Sequence, residues 1–242
     1  MKKAVLALLL ILAGAILIVL VRQRLGSSIM ETARTAQGRK TVADRLAQYG
    51  PAVRKRLLPY FEAAQMPYPP DRLVFVGLKH EKKLELWASG PDQKFKLIRI
   101  YPILGASGRL GPKLKQGDRQ VPEGIYGIEW LNPNSKYHLS VRIGYPNQFD
   151  RIQAKRDDRT NLGGDIMIHG GKASIGCLAM GDEAAEDLFI LAARTGIHRT
   201  TVILTPVDFR TSGLHDLPYP LPEWTGALYE QIKQELSKLT PN

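Results

Sequence analysis

From Leu73 onward the apolar residues of this chain tend to recur at every second position, and that periodicity restricts the fold more than any other feature of its 242 residues. The stretches "RLVFVG", "KLELWA", "KFKLIRIYPI", "GIYGIEW", "YHLSVRIG" and "DIMIHG" are short and rich in β-branched or aromatic residues, and several alternate, as in Lys94-Phe95-Lys96-Leu97. Successive side chains of a strand point to opposite faces, so runs of this kind predict strands. Glycine and proline fill the connections, as in "GASGRLGP" and "LNPNSK", and short turns join neighbours antiparallel. A mostly antiparallel, β-rich domain is expected.

Helical periodicity flanks it. "TVADRLAQYG" reads as a helix with Thr41 as cap and Gly50 closing it, and "PAVRKRLLPYFEAAQ" as a second helix entered at Pro51 and kinked at Pro59. "GDEAAEDLFILAARTG" predicts an amphipathic helix capped by Asp182 and ended by Gly196, followed by the strand "TTVILT". "PEWTGALYEQIKQELSKL" predicts a surface helix with Leu228, Ile232 and Leu236 on one face. The class is therefore α+β, a sheet with flanking helices.

Ala4 to Val21 obeys a different rule: 18 apolar or glycine residues stand uninterrupted between Lys2-Lys3 and Arg22. As a helix this run would span roughly 27 Å, close to the thickness of a bilayer core. It is longer than the apolar region of most cleaved signal peptides and no clean small-x-small site follows it, so an uncleaved signal-anchor is expected. The division is then residues 1–22 as an N-terminal transmembrane helix, 23–70 as a helical stalk with packing helices, 71–210 as the main domain and 211–242 as a helical extension. The formal charge of +11 belongs largely to the tail, since residues 1–40 hold seven Lys/Arg against Glu31 alone. Without a basic run or aromatic–basic interleaving elsewhere, no nucleic-acid partner is expected.

The single cysteine, Cys177, excludes an intrachain disulfide and lies eight residues after His169 in "IMIHGGKASIGCLAM". A phosphate-binding loop fails, because Ile166 and Ala173 stand where a glycine and a hydroxyl are needed, and Lys172 breaks a serine-hydrolase elbow around Ser174. One thiol and one imidazole are too few for a metal site. A thiol nucleophile with a histidine base fits better. His169 ends a predicted strand that would hold its ring, and the amides of Gly176 and Cys177 are placed to face a developing oxyanion. The alternative is a buried, inert cysteine.

These residues resemble the L,D-transpeptidase catalytic domain (YkuD-like), whose signature pairs His-Gly at a strand end with a later Ser-His-Gly-Cys. His169 and Gly170 match the first pair; Ser174, Gly176 and Cys177 match three of the four positions in the second. "VPEGIYGI" resembles the family's threonine/proline-glycine-tyrosine strand, "LNPNSKYHLSVRIGYPNQFDR" is similar to the murein transpeptidase branch related to YafK, and the likeness covers roughly residues 71 to 208. It implies peptidoglycan stem peptides as acyl donors, a thioester on Cys177, His169 as base and no cofactor. The acyl acceptor would be a second stem, a wall-linked protein or water, the last giving hydrolysis. A catalytic domain on the extracytoplasmic side, held to the inner membrane through residues 4–21, is implied. A wall-binding protein with an inert thiol is the rival reading.

Two positions depart from the pattern. Ile175 replaces a second histidine, and Ala179 replaces an arginine common in the family. Arg142, Arg151, Lys172 and Arg109 become candidates for the substrate carboxylate, and Tyr145 with Pro146 for a cleft wall, although a plain turn also explains "GYPNQFD". His138 is a rival base that reads more simply as a satisfied strand histidine. His80, His198 and His215 read as surface residues, and Trp87, Trp130 and Trp224 as packing residues.

Overall fold

The computed structural model describes residues 38–214 and 219–239. The run Ala4–Val21 and His215 lie outside them, and among the described residues no helix is long and apolar enough to cross a membrane. The chain divides into two compact units, residues 1–44 and 45–242.

Within residues 1–44, Thr41 Oγ1 accepts from the Asp44 amide at 3.1 Å, and the Asp44 carboxylate accepts from the Thr41 amide at 2.7 Å, a reciprocal cap. The helix it starts, α1, runs Val42–Ala63 without interruption through Pro51 and Pro59. Two helices were expected here. Gly50 is not a helix end: a Cβ there would lie 2.9 Å from Arg194 Nη2, so the missing side chain admits a neighbour. Val53, Leu57 and Phe61, fully buried, hold the later turns in place.

Residues 45–242 contain a mixed nine-stranded sheet, in the order β3-β2-β1-β9-β5-β6-β7-β8-β4. Its strands are β1 (Arg72–Leu78), β2 (Lys83–Ser89), β3 (Phe95–Pro102), β4 (Gly105–Ala106), β5 (Gly124–Ser135), β6 (His138–Ile143), β7 (Met167–His169), β8 (Leu178–Ala179) and β9 (Thr200–Thr205). Most neighbours are antiparallel, as the periodicity predicts, but β1 pairs with β9 in parallel and β7 with β8. β1 is buried along six of its seven residues, so it is covered on both faces.

One cover is α4 (Thr225–Leu236), whose Leu228, Ile232 and Leu236 pack with Val74, Val76 and Ile203. The other is α3 (Asp182–Thr195), with Leu188 to Ala192 buried, packed on β6, β1 and β7. Gly196 ends α3, whereas Gly181, not Asp182, occupies the N-cap. A further helix, α2 (Gln148–Arg156), starts from an Asn147–Asp150 capping box in a stretch whose sequence suggested only a turn.

Candidate active site

His169 is the last residue of β7, and Cys177 immediately precedes β8. The parallel register, His169 beside Ala179 and Ile168 beside Leu178, puts the two residues on neighbouring strands, with Cys177 level with Met167, two residues before His169. Cys177 Sγ accepts from the Met167 amide at 3.4 Å and lies 3.6 Å from the Asp165 carbonyl. Burial raises the thiol pKa, with the charge of Asp165 adding to it; the Met167 amide and Lys113 act in the opposite sense.

The His169 ring is 3% exposed. Its Nδ1 stands 2.6 Å from the Gly170 carbonyl, which only accepts, so Nδ1 carries the proton and Nε2 the lone pair. Tyr137, half exposed, stacks on the imidazole at 4.6 Å between centroids and 29° between planes. Burial lowers the His169 pKa. Both shifts favour the uncharged forms, a thiol and a neutral imidazole.

Gly170 has no room for a side chain. A Cβ there would lie 2.5 Å from Asp182 Oδ1 and 2.7 Å from the Tyr137 carbonyl. Its amide donates to the carbonyls of Tyr137 and Leu139, and the Asp182 carboxylate, expected to cap α3, accepts instead from the Gly171 amide at 2.9 Å. The turn to Cys177 passes through Gly176 at φ +88°, a left-handed conformation that glycine adopts without strain.

The two amides expected to face an oxyanion are engaged. Gly176 donates to Ser107 Oγ at 2.6 Å, and Cys177 donates to Ser174 Oγ at 3.0 Å. Ser174 in turn donates to the Cys177 carbonyl at 2.5 Å, so its hydroxyl closes the turn around the thiol. Ser107, Lys113 and Tyr137 were not singled out from sequence. Ser107 and Lys113 lie in the connection between β4 and β5, where no pattern links them to Cys177; Tyr137 sits in a quoted motif but reads there as a strand aromatic.

The carboxylate candidates separate. Arg142 lies on β6 opposite Met167 and pairs with Asp165 at 2.8 Å, beside the thiol. Arg151 and Lys172 are exposed, the first on α2 and the second in the turn before Ser174. Arg109 stacks its guanidinium 3.8 Å above the Tyr219 ring. Tyr145 is no cleft wall: it is 1% exposed, and its hydroxyl donates to the carbonyls of Leu162 and Lys113 at 3.3 and 3.4 Å.

His138 pairs with Glu186 at 2.9 Å and meets the edge of Tyr49, a satisfied histidine. His80 and His198 are exposed. Trp87 is fully buried and Trp224 packs against Phe149, but Trp130 is 39% exposed, opposite Arg142. Among the described residues no three His, Cys, Asp or Glu side chains are grouped to hold a metal ion.

Residues 71–204, which include His169 and Cys177, match the family model of the YkuD L,D-transpeptidase catalytic domain. The chain belongs to this family. It is similar to YafK from Escherichia coli (strain K12), provisionally named an L,D-transpeptidase, with 38% identity over 113 residues that make up 46% of this chain and 43% of that protein. The chain thus spans less than half the length of the curated relatives it matches. Among solved structures it is similar to the helical cell shape determining protein Pgp2 from Campylobacter jejuni, at a TM-score of 0.47 and 22% identity, covering 57% of this chain and 49% of that one. Bd1075 from Bdellovibrio bacteriovorus gives a TM-score of 0.38 and 20% identity, covering 71% of this chain and 56% of that one.

Proposed function

We propose that this chain is a cysteine acyltransferase acting on peptidoglycan stem peptides, an L,D-transpeptidase in activity as well as in family. The observation that carries the reading is the His169 tautomer: with Nδ1–H donated to Gly170, Nε2 is the basic nitrogen, one strand away from the only thiol. Cys177 Sγ attacks the carbonyl at the L-centre of a diamino acid while Nε2 takes the thiol proton. The C–N bond to the terminal D-residue then breaks, the imidazolium returns its proton to the leaving amine, and a thioester remains. A side-chain amine of a second stem or of a wall-linked protein attacks the thioester and releases the thiol; water in its place gives hydrolysis.

The oxyanion competes with Ser107 and Ser174 for the Gly176 and Cys177 amides. A charged acceptor forms the stronger hydrogen bond, so it displaces a neutral hydroxyl at the moment charge develops. The apolar run Ala4–Val21 anchors the enzyme in the membrane, with the catalytic domain on the extracytoplasmic side.

The test is incubation with tetrapeptide-bearing muropeptides followed by product mass. Crosslinked dimers support transpeptidation, and trimmed monomers indicate hydrolysis. Cys177→Ser and His169→Ala should each abolish turnover, whereas Ser174→Ala should retain measurable activity. Loss with Ser174→Ala and survival with Cys177→Ser would reassign the nucleophile.

A further inference from the structure

A cavity of about 870 Å³ opens between α2 and the loop that leads to β7, and neither His169 nor Cys177 lines it. Its helical wall carries Arg151 and Lys155, four residues apart and so on one face of α2. Both side chains are exposed, and the charge of Arg151 acts on the neighbouring Asp150 carboxyl. Like charges at this spacing repel; the helix dipole favours Lys155 in the last turn, and Arg151 stands next to the Asp150 carboxylate, but among the described residues neither side chain is neutralised by an ion pair of its own. Arg159 is a third cation in the wall, but it is held by Asp157 at 2.9 Å and by the Leu114 carbonyl at 2.8 Å, which makes it a fixed post.

The opposite wall is chemically different. After α2 the chain turns back, with the Arg159 amide on the Ala154 carbonyl, and residues 158–163 face the helix. Asp158 and Asn161 add a carboxylate and an amide to the lining. Gly163, also in the wall, is two residues from Asp165, whose carbonyl lies 3.6 Å from Cys177 Sγ. Two residues span at most about 7 Å, so the cavity opens within a few peptide units of the thiol.

We infer that this cavity is a carboxylate-binding subsite for the peptide substrate, in which Arg151 and Lys155 hold a free carboxylate of the stem while its reacting carbonyl lies at Cys177. Asp158 and Asn161 suit the ammonium and amide groups of the same ligand. The inference rests on the proposed acyl transfer for the identity of the peptide, whereas the anion site stands on the two cations and the cavity. Both cations are exposed and the field of each is screened within about 8 Å at physiological salt, so binding there weakens as salt rises.

The experiment uses the full chain with Cys177→Ala, which binds without turnover, and a tetrapeptide stem offered with free carboxylates or as its carboxamide analogue. Calorimetry should show the carboxylate form bound more tightly than the carboxamide. Arg151→Met with Lys155→Met should weaken the carboxylate form about tenfold, roughly 1.4 kcal/mol, and erase the discrimination. An unchanged Kd in the double variant, or no binding of either peptide to the parent, overturns the subsite. Inorganic phosphate displacing the peptide at equal concentration also overturns it, because the patch would then be a general anion surface. Turnover by the wild type with Kd unchanged in the double variant would leave the acyl-transfer reading standing and remove only the subsite. A normal subsite without turnover would do the reverse.

Discussion

Two residues with opposite proton chemistry have been driven to the same state. Burial raises the Cys177 thiol and lowers the His169 imidazole, so each favours its uncharged form, and in the proposed acyl transfer the proton moves as the carbonyl arrives. Alkylation of Cys177 by iodoacetamide should therefore still be accelerating between pH 8 and 10, because thiolate forms only above the usual thiol range. A rate as high at pH 6 as at pH 9 would reveal a preformed thiolate–imidazolium pair. Tyr137 belongs to the same device: its ring covers the imidazole at 4.6 Å, and its carbonyl holds the Gly170 amide at 3.0 Å. Tyr137→Ala should admit water, raise the His169 pKa and move the acid limb of the pH–rate profile upward, while Tyr137→Phe leaves the limb in place. A limb unmoved by the alanine would deny the tyrosine this positioning role. The sequence exposed His169 and Cys177 because reactive side chains beside glycines are conspicuous. It hid Tyr137 and Ser107, whose parts depend on which strand lies beside which.

Elements were legible where a stripe of apolar residues recurs, and illegible where neighbours define them. β4 and β8 are two residues each, too short to carry a period, and they exist because each pairs with the other. α2 buries Asp150, Gln153 and Ala154, so it has no apolar stripe to read. Burial raises the Asp150 carboxyl to about 6. A folded-state pKa above the unfolded one means that this group contributes stability at pH below about 4, which is lost as pH rises toward 6, roughly 3 kcal/mol across that window. Asp150→Asn keeps an acceptor for the Asn147 amide and should flatten the pH dependence of stability between pH 4 and 6. An unaltered slope in thermal unfolding would place the titration elsewhere. In α1 the Gly50-Pro51 pair has the form of a helix boundary, yet the helix continues through it. Pro51 and Pro59 leave the carbonyls of Ala47 and Lys55 without their helical donors, yet the buried Val53, Leu57 and Phe61 keep the helix whole. Gly50→Ala meets only the mobile end of Arg194, so the gain in helix propensity, about 1 kcal/mol, should raise Tm by roughly 2–4 °C. A fall in Tm would show that Arg194 is fixed against the helix.

At the scale of the molecule, the strand that completes the sheet comes late in the chain: β9 enters between β1 and β5, and its parallel pairing with β1 could not be inferred from alternation alone. Toward its far edge, beside β4, the same sheet holds the short β7–β8 pair next to which His169 and Cys177 stand, so folding of residues 72–205 must be complete before the candidate site exists. Where that site works is a question for the tail. Lys2, Lys3 and the amino terminus precede the apolar run, while Arg22, Arg24, Arg34, Arg39 and Lys40 follow it, a distribution that by the positive-inside rule favours a cytoplasmic domain. A stem-peptide substrate argues for export, and a first apolar segment behind a short basic tail is a common export signal. The proposed acyl transfer favours export, since such an enzyme on the wrong side would never meet a wall. Cys177 makes the test clean as the only thiol in the chain. Because its pKa is raised, labelling is slow and the reaction should be run near pH 8.5, with detergent-lysed cells as the reference for the same intrinsic rate. A membrane-impermeant maleimide should modify Cys177 as fully in wall-stripped intact cells as after lysis. Modification only after lysis would put the domain in the cytoplasm and remove peptidoglycan from its reach.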